Sequence, residues 1–120
     1  MDAFTWVFSL LIPIMMVVFG LLMWKKPPKE INGIMGYRTR RSMINQQTWD
    51  FAHHHVGKNW TLWGSVLLGA SVLALLFVPA AGDTILLTLT FVQLAVLIIS
   101  IFPTEAALKR KFDDYGFPRE

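Results

Sequence analysis

Three long apolar runs divide the chain, at 3–24, 60–78 and 84–102, and none holds a formal charge. A hydrocarbon core of ~30 Å takes about 20 apolar residues as a helix, so each run is long enough to span a bilayer. None has the polar face that a helix of a water-soluble bundle needs. Pro13 predicts a kink in the first helix, which neighbouring helices tolerate in a membrane. Residues 79–83, Pro-Ala-Ala-Gly-Asp, predict a tight turn that makes the second and third spans an antiparallel hairpin. The first run does not read as a cleaved signal peptide. Its leading Met1-Asp2 is acidic rather than basic, the apolar stretch is long, and no small-x-small pattern follows.

Between the first two runs the pattern changes. From Ser42, a predicted N-cap, Trp49, Ala52, Val56 and Trp60 recur at spacings of three and four, with Asn45, Gln46, Asp50 and His54 off that stripe. This predicts an amphipathic helix on the membrane surface or folded beneath the bundle. Gly57 marks a bend into the second span unless the helix simply continues. The expected fold is therefore all-α: an integral membrane protein with three transmembrane helices and a cytoplasmic amphipathic helix between the first two spans. Residues 1–120 form one membrane domain, with a cytoplasmic segment at 25–59 and a cytoplasmic tail at 103–120.

Composition agrees. Hydrophobic residues make up 54% and charged residues 16%, below the usual quarter. The absence of cysteine excludes disulfides, thiolate metal sites and cysteine nucleophiles. The net charge of +3 suggests nucleic acid only until the charges are placed. Of eleven Lys and Arg, seven lie in 25–59 and four follow Phe102; Met1-Asp2 and 79–83 hold none. The positive-inside rule then puts the N-terminus outside and the C-terminus in the cytoplasm. The basic residues serve topology and anionic lipid, so no direct nucleic-acid partner is expected. Trp6, Trp24, Trp60 and Trp63 fall near span ends, as interfacial anchors do.

Asn32, Gly36-Tyr37-Arg38-Thr39, Ser42-Met43, Asn45, Thr48-Trp49, Ala52-His53 and Gly57 occur in fixed order. They resemble the signature of the SdpI family of small bacterial membrane proteins, mainly over 31–65. The resemblance implies a multi-pass protein of the bacterial cell membrane that gives immunity to, or senses, a membrane-active toxic peptide. Its implied partners are the lipid bilayer, the toxic peptide and a cytoplasmic transcriptional repressor, with homo-oligomerisation also open. No enzyme activity and no cofactor are expected. One rival reading is an interaction protein whose 31–58 segment captures a regulator. Another is a membrane metal-dependent enzyme using Asp50, His53 and Glu105.

The candidate ligand or partner residues are Asn32, Gly36, Tyr37, Arg38, Thr39, Ser42, Asn45, Trp49 and Gln93. Gly36 allows a close backbone approach that a side chain forbids. Arg38 offers a planar fork to Glu30, Asp50, Glu105 or a lipid phosphate. Trp49 is expected to anchor the amphipathic helix. The triplet His53-His54-His55 invites a metal reading with Asp50 and Glu105, but zinc takes three or four ligands and no HExxH is present, so no metal is assigned. Ser42, His54 and Asp50 lack the nucleophile turn and oxyanion motif of a hydrolase. Gln93 sits midway along the third run, where its amide must face protein. Its candidate partners are the Ser9, Ser65 and Ser71 hydroxyls or a carbonyl freed near Pro13. Ser65/Gly69 and Ala70/Ala74 are small-xxx-small pairs that would permit close helix packing.

Overall fold

The computed structural model describes residues 3–78 and 82–119. Its elements are α1 (Ala3–Lys25), α2 (Gln46–Phe77), α3 (Gly82–Ile99) and α4 (Ile101–Lys111). Three helical stretches, with α3 and α4 taken together, are long and apolar enough to cross a membrane. The predicted turn at 79–83 falls largely on residues outside those described.

The helices are sorted opposite to those of a water-soluble bundle. The inner face of α1 is Thr5, Ser9, Pro13, Met16, Gly20 and Met23, at spacings of three and four. Its outer face carries Phe4, Phe8, Leu11, Ile14, Val18 and Phe19. Lipid tails are as apolar as leucine, so no hydrophobic force drives these helices together; close packing of small residues does. A Cβ on Gly57 would collide with the backbone nitrogen of Trp24, and one on Gly20 would lie 2.7 Å from the nitrogen of Thr61. Higher on the same seam, a Cβ on Gly64 would meet the Cβ of Met16 at 2.9 Å. The expected small-residue pairs do not form this contact. Ser65, Gly69 and Ala70 point outward, and nothing lies within 4 Å of a Cβ built on Gly69.

Of the two alternatives at Gly57, a bend or a continuous helix, the structure has the second. The amphipathic stretch and the second span are one 32-residue helix, α2, and Gly57 marks a helix crossing rather than a bend. At ~1.5 Å per residue α2 is about 48 Å long, beyond a core of ~30 Å, so roughly its first third stands outside the apolar layer. Its N-cap is Asn45, not Ser42. The Asn45 side chain accepts from the Thr48 N–H (2.9 Å), and Thr48 Oγ1 accepts from the Asn45 N–H (3.0 Å), a reciprocal capping box. The tail after the third span is ordered too. α4 packs back on α2, and a turn then brings Phe112 against Pro118.

Candidate functional site

At the basic end a small apolar core forms from Met23 of α1, Tyr37 of the connecting loop, Ala52 and Val56 of α2, Leu108 of α4, and Phe112. Phe51 and Trp60 pack against it. Of the predicted signature residues, Tyr37 and Ala52 belong to this core.

Gly36 has φ +105°, and a Cβ there would meet His53 Nε2 at 2.5 Å. Only glycine combines that backbone with that approach. The contact lets the next amide reach the ring: Tyr37 N–H donates to His53 Nε2 (2.9 Å), and His53 Nδ1–H donates to the Trp49 carbonyl (2.8 Å). With one nitrogen accepting and the other donating, the ring is the neutral Nδ1–H tautomer. Trp49 is fully buried. Its ring lies 4.2 Å from that of His53, and its Nε1–H donates to the Pro28 carbonyl (2.7 Å).

The Tyr37 hydroxyl donates to Glu105 Oε1 (2.9 Å), linking the loop to α4. Burial, then the Glu105 hydrogen bond and charge, push the Tyr37 phenol well above its usual range. Glu105 Oε2 is buried without a hydrogen-bond partner among the described residues. Ser42 closes the turn from the other side. Its Oγ accepts from the Thr39 N–H (2.9 Å) and donates to the Tyr37 carbonyl (2.9 Å), while Thr39 Oγ1 accepts from the Ser42 N–H (3.2 Å). Asn45 Nδ2 donates to the Gly116 carbonyl (2.8 Å), and Arg41 lies 3.6 Å from Asp114, so the tail is stapled to the same loop.

Two predicted site residues stand outside this network. Asn32 Oδ1 accepts from the Ile34 and Met35 N–H groups, shaping a local turn. Arg38 reaches none of the expected carboxylates; its Nη1 donates to the Gly33 carbonyl (2.6 Å), and the side chain is exposed. Glu105, one of those carboxylates, accepts from Tyr37 instead.

The metal candidates are not brought together. His53 is buried, His54 is exposed, and His55 Nδ1 lies 2.8 Å from Thr104 Oγ1. Asp50 is exposed and accepts from Gln46 Nε2 (2.8 Å). Among the described residues no group of three or more His, Asp or Glu could hold a metal ion.

Gln93 lies far from this end and joins all three spans. Its Nε2 donates to the Ser9 carbonyl of α1 (2.7 Å) and to Ser71 Oγ of α2 (3.0 Å). Ser9 is four residues before Pro13, which has no N–H, so its carbonyl is the one left free in the ladder. Gln93 Oε1 and Ser9 Oγ are buried without hydrogen-bond partners among the described residues. Sequence reasoning missed the Tyr37–Glu105 and Asn45–Gly116 contacts, which span 68 and 71 positions. The Asn45-x-x-Thr48 spacing was the readable signal of the cap.

Comparison with known proteins places this arrangement. The profile of the SdpI/YfhL protein family matches residues 29–104, from the loop through α2 and α3 into α4. The "Uncharacterized protein YfhL" of Bacillus subtilis (strain 168) is 33% identical over 95 residues, covering 79% of this chain and 80% of that protein. No solved structure matches significantly. By the extent of that match, which takes in the His53–Tyr37 clasp, the Asn45 cap and Gln93, the chain belongs to the SdpI/YfhL family.

Proposed function

We propose that this chain is a membrane immunity protein of SdpI type, protecting its cell against a membrane-active toxic peptide or sensing that peptide. Family membership over residues 29–104 carries the reading. The packing is consistent with it. α3 contacts α1 more extensively than α2, and its outer face carries Leu87, Phe91 and Ile98. An apolar peptide already in the bilayer would meet that face. The protein acts by holding the peptide and withholding it from a damaging assembly, without bond chemistry. Its basic end, with the 26–45 loop and α4, faces the cytoplasm, because cationic segments are retained there.

The test is survival of a peptide-sensitive bacterium expressing the full chain, challenged with a panel of membrane-active peptides. The reading expects at least one peptide against which expressing cells survive doses that kill vector controls. Equal killing across the panel, at verified membrane expression, would count against it.

A further inference from the structure

A cleft of about 610 Å³ opens where the apolar length of α1 gives way to the basic loop. Phe19 and Leu22 of α1, Trp60 of α2 and Ile101 of α4 line its apolar part, and Lys26 and Arg38 line it as cations. No carboxylate among the described residues lines it. Among the described residues the only ion pair is Arg41 with Asp114, so neither cation has a counter-charge. Arg38 spends one donor on the Gly33 carbonyl, and four of the five in its fork remain.

The loop side of the cleft adds a second observation. Ile34 and Met35 line it and are 85% and 64% exposed, at the tip of a turn held by Asn32. Two large apolar side chains thrust out beside two unpaired cations suit an interface between acyl chains and headgroups. They do not suit water.

We propose that this cleft binds one anionic glycerophospholipid, its phosphate meeting Lys26 and Arg38 and one acyl chain running along Phe19 and Leu22. A zwitterionic choline lipid fits less well, because its ammonium finds no carboxylate here. A phosphate without chains leaves the apolar wall uncovered. This site is separate from the peptide-binding reading and stands whether or not the protein confers immunity.

The experiment is native mass spectrometry of the purified full chain, released from micelles holding phosphatidylglycerol and phosphatidylcholine in equal amounts with identical acyl chains. The expected result is a one-to-one adduct enriched in phosphatidylglycerol. Lys26→Gln should lower that preference roughly fivefold, since the Lys26 side chain makes no hydrogen bond among the described residues, and the Lys26→Gln/Arg38→Gln pair roughly 25-fold. Lys109→Gln, outside the cleft, should leave the preference intact, and glycerol phosphate should not displace the lipid. Equal retention of the two lipids overturns the proposal, as does an unchanged preference in Lys26→Gln. So does an equal drop in Lys109→Gln, which would mean diffuse attraction only. Displacement by glycerol phosphate, or a lipid-free mass of two chains or of one chain with a peptide, also overturns it.

Discussion

Replacing Gln93 by leucine asks how much the three spans depend on their one central amide. The change removes the bonds to the Ser9 carbonyl and the Ser71 hydroxyl. Inside a membrane each averages about 0.6 kcal/mol, so the direct loss is about 1.2 kcal/mol. The Ser9 carbonyl, already free of Pro13, then has no donor, which costs on the order of 1 kcal/mol. Against this, the buried Oε1, without a partner among the described residues, disappears, and removing it recovers a similar amount. Leucine nearly fills the glutamine volume, so no cavity adds to the balance. The expected net loss is about 1 kcal/mol. Gln93→Ala should lose about 2 kcal/mol more, through the cavity it opens. Both are read by titrating the purified chain from mild detergent into SDS and following tryptophan fluorescence, with helix content checked by circular dichroism. A leucine variant that loses more than about 3 kcal/mol, or never folds, would refute the accounting and make this amide a folding determinant.

Other outcomes follow from the same contacts. Gly57→Ala should lose at least about 2 kcal/mol, because its Cβ meets the Trp24 backbone, which cannot move aside. Gly69→Ala should be neutral or gain up to about 1 kcal/mol from helix propensity, since nothing is near it; equal effects in the SDS titration would misplace the helix seam. Tyr37→Phe removes the phenol donor from Glu105 in a half-buried site and should cost about 1.5–3 kcal/mol. Glu105→Gln, which still accepts from the phenol, should cost less; the reverse order in thermal melting would argue against the Tyr37 clasp. A reporter fused after Glu120 should read cytoplasmic and a tag in 79–83 external, and the opposite pattern would invert the proposed orientation.

The spans were legible because a bilayer imposes a length and an absence of charge that any window of sequence displays. Gln93 was legible for the same reason: an amide there has to find a partner, and Ser71 and the carbonyl freed by Pro13 were among the few available. The seam between α1 and α2 was not. Small residues lie on several faces of α2, and only the α1 backbone picks Gly57 and Gly64 over Ser65 and Gly69. The loop was half legible. Gly36 announced a backbone that excludes side chains, but nothing local says that the group excluding them is His53, 17 residues on. Arg38 was legible only as a donor in search of an acceptor. Of the carboxylates offered, Glu105 bonds the Tyr37 hydroxyl, because the apolar core buries the tyrosine ring beside it. Trp49 was legible as an apolar-stripe residue, but its contacts with the His53 ring and the Pro28 carbonyl were not.

The central claim is that the folded bundle itself shields a bilayer from a toxic peptide. Purified chain reconstituted into dye-filled vesicles tests it without the rest of the cell, using a peptide against which expression protects. The account predicts that dye release falls as the protein-to-peptide ratio approaches one, and that Gly57→Ala, with its helix seam forced apart, shields poorly. Dye release identical in protein-bearing and empty vesicles, at confirmed incorporation of folded protein, would contradict it.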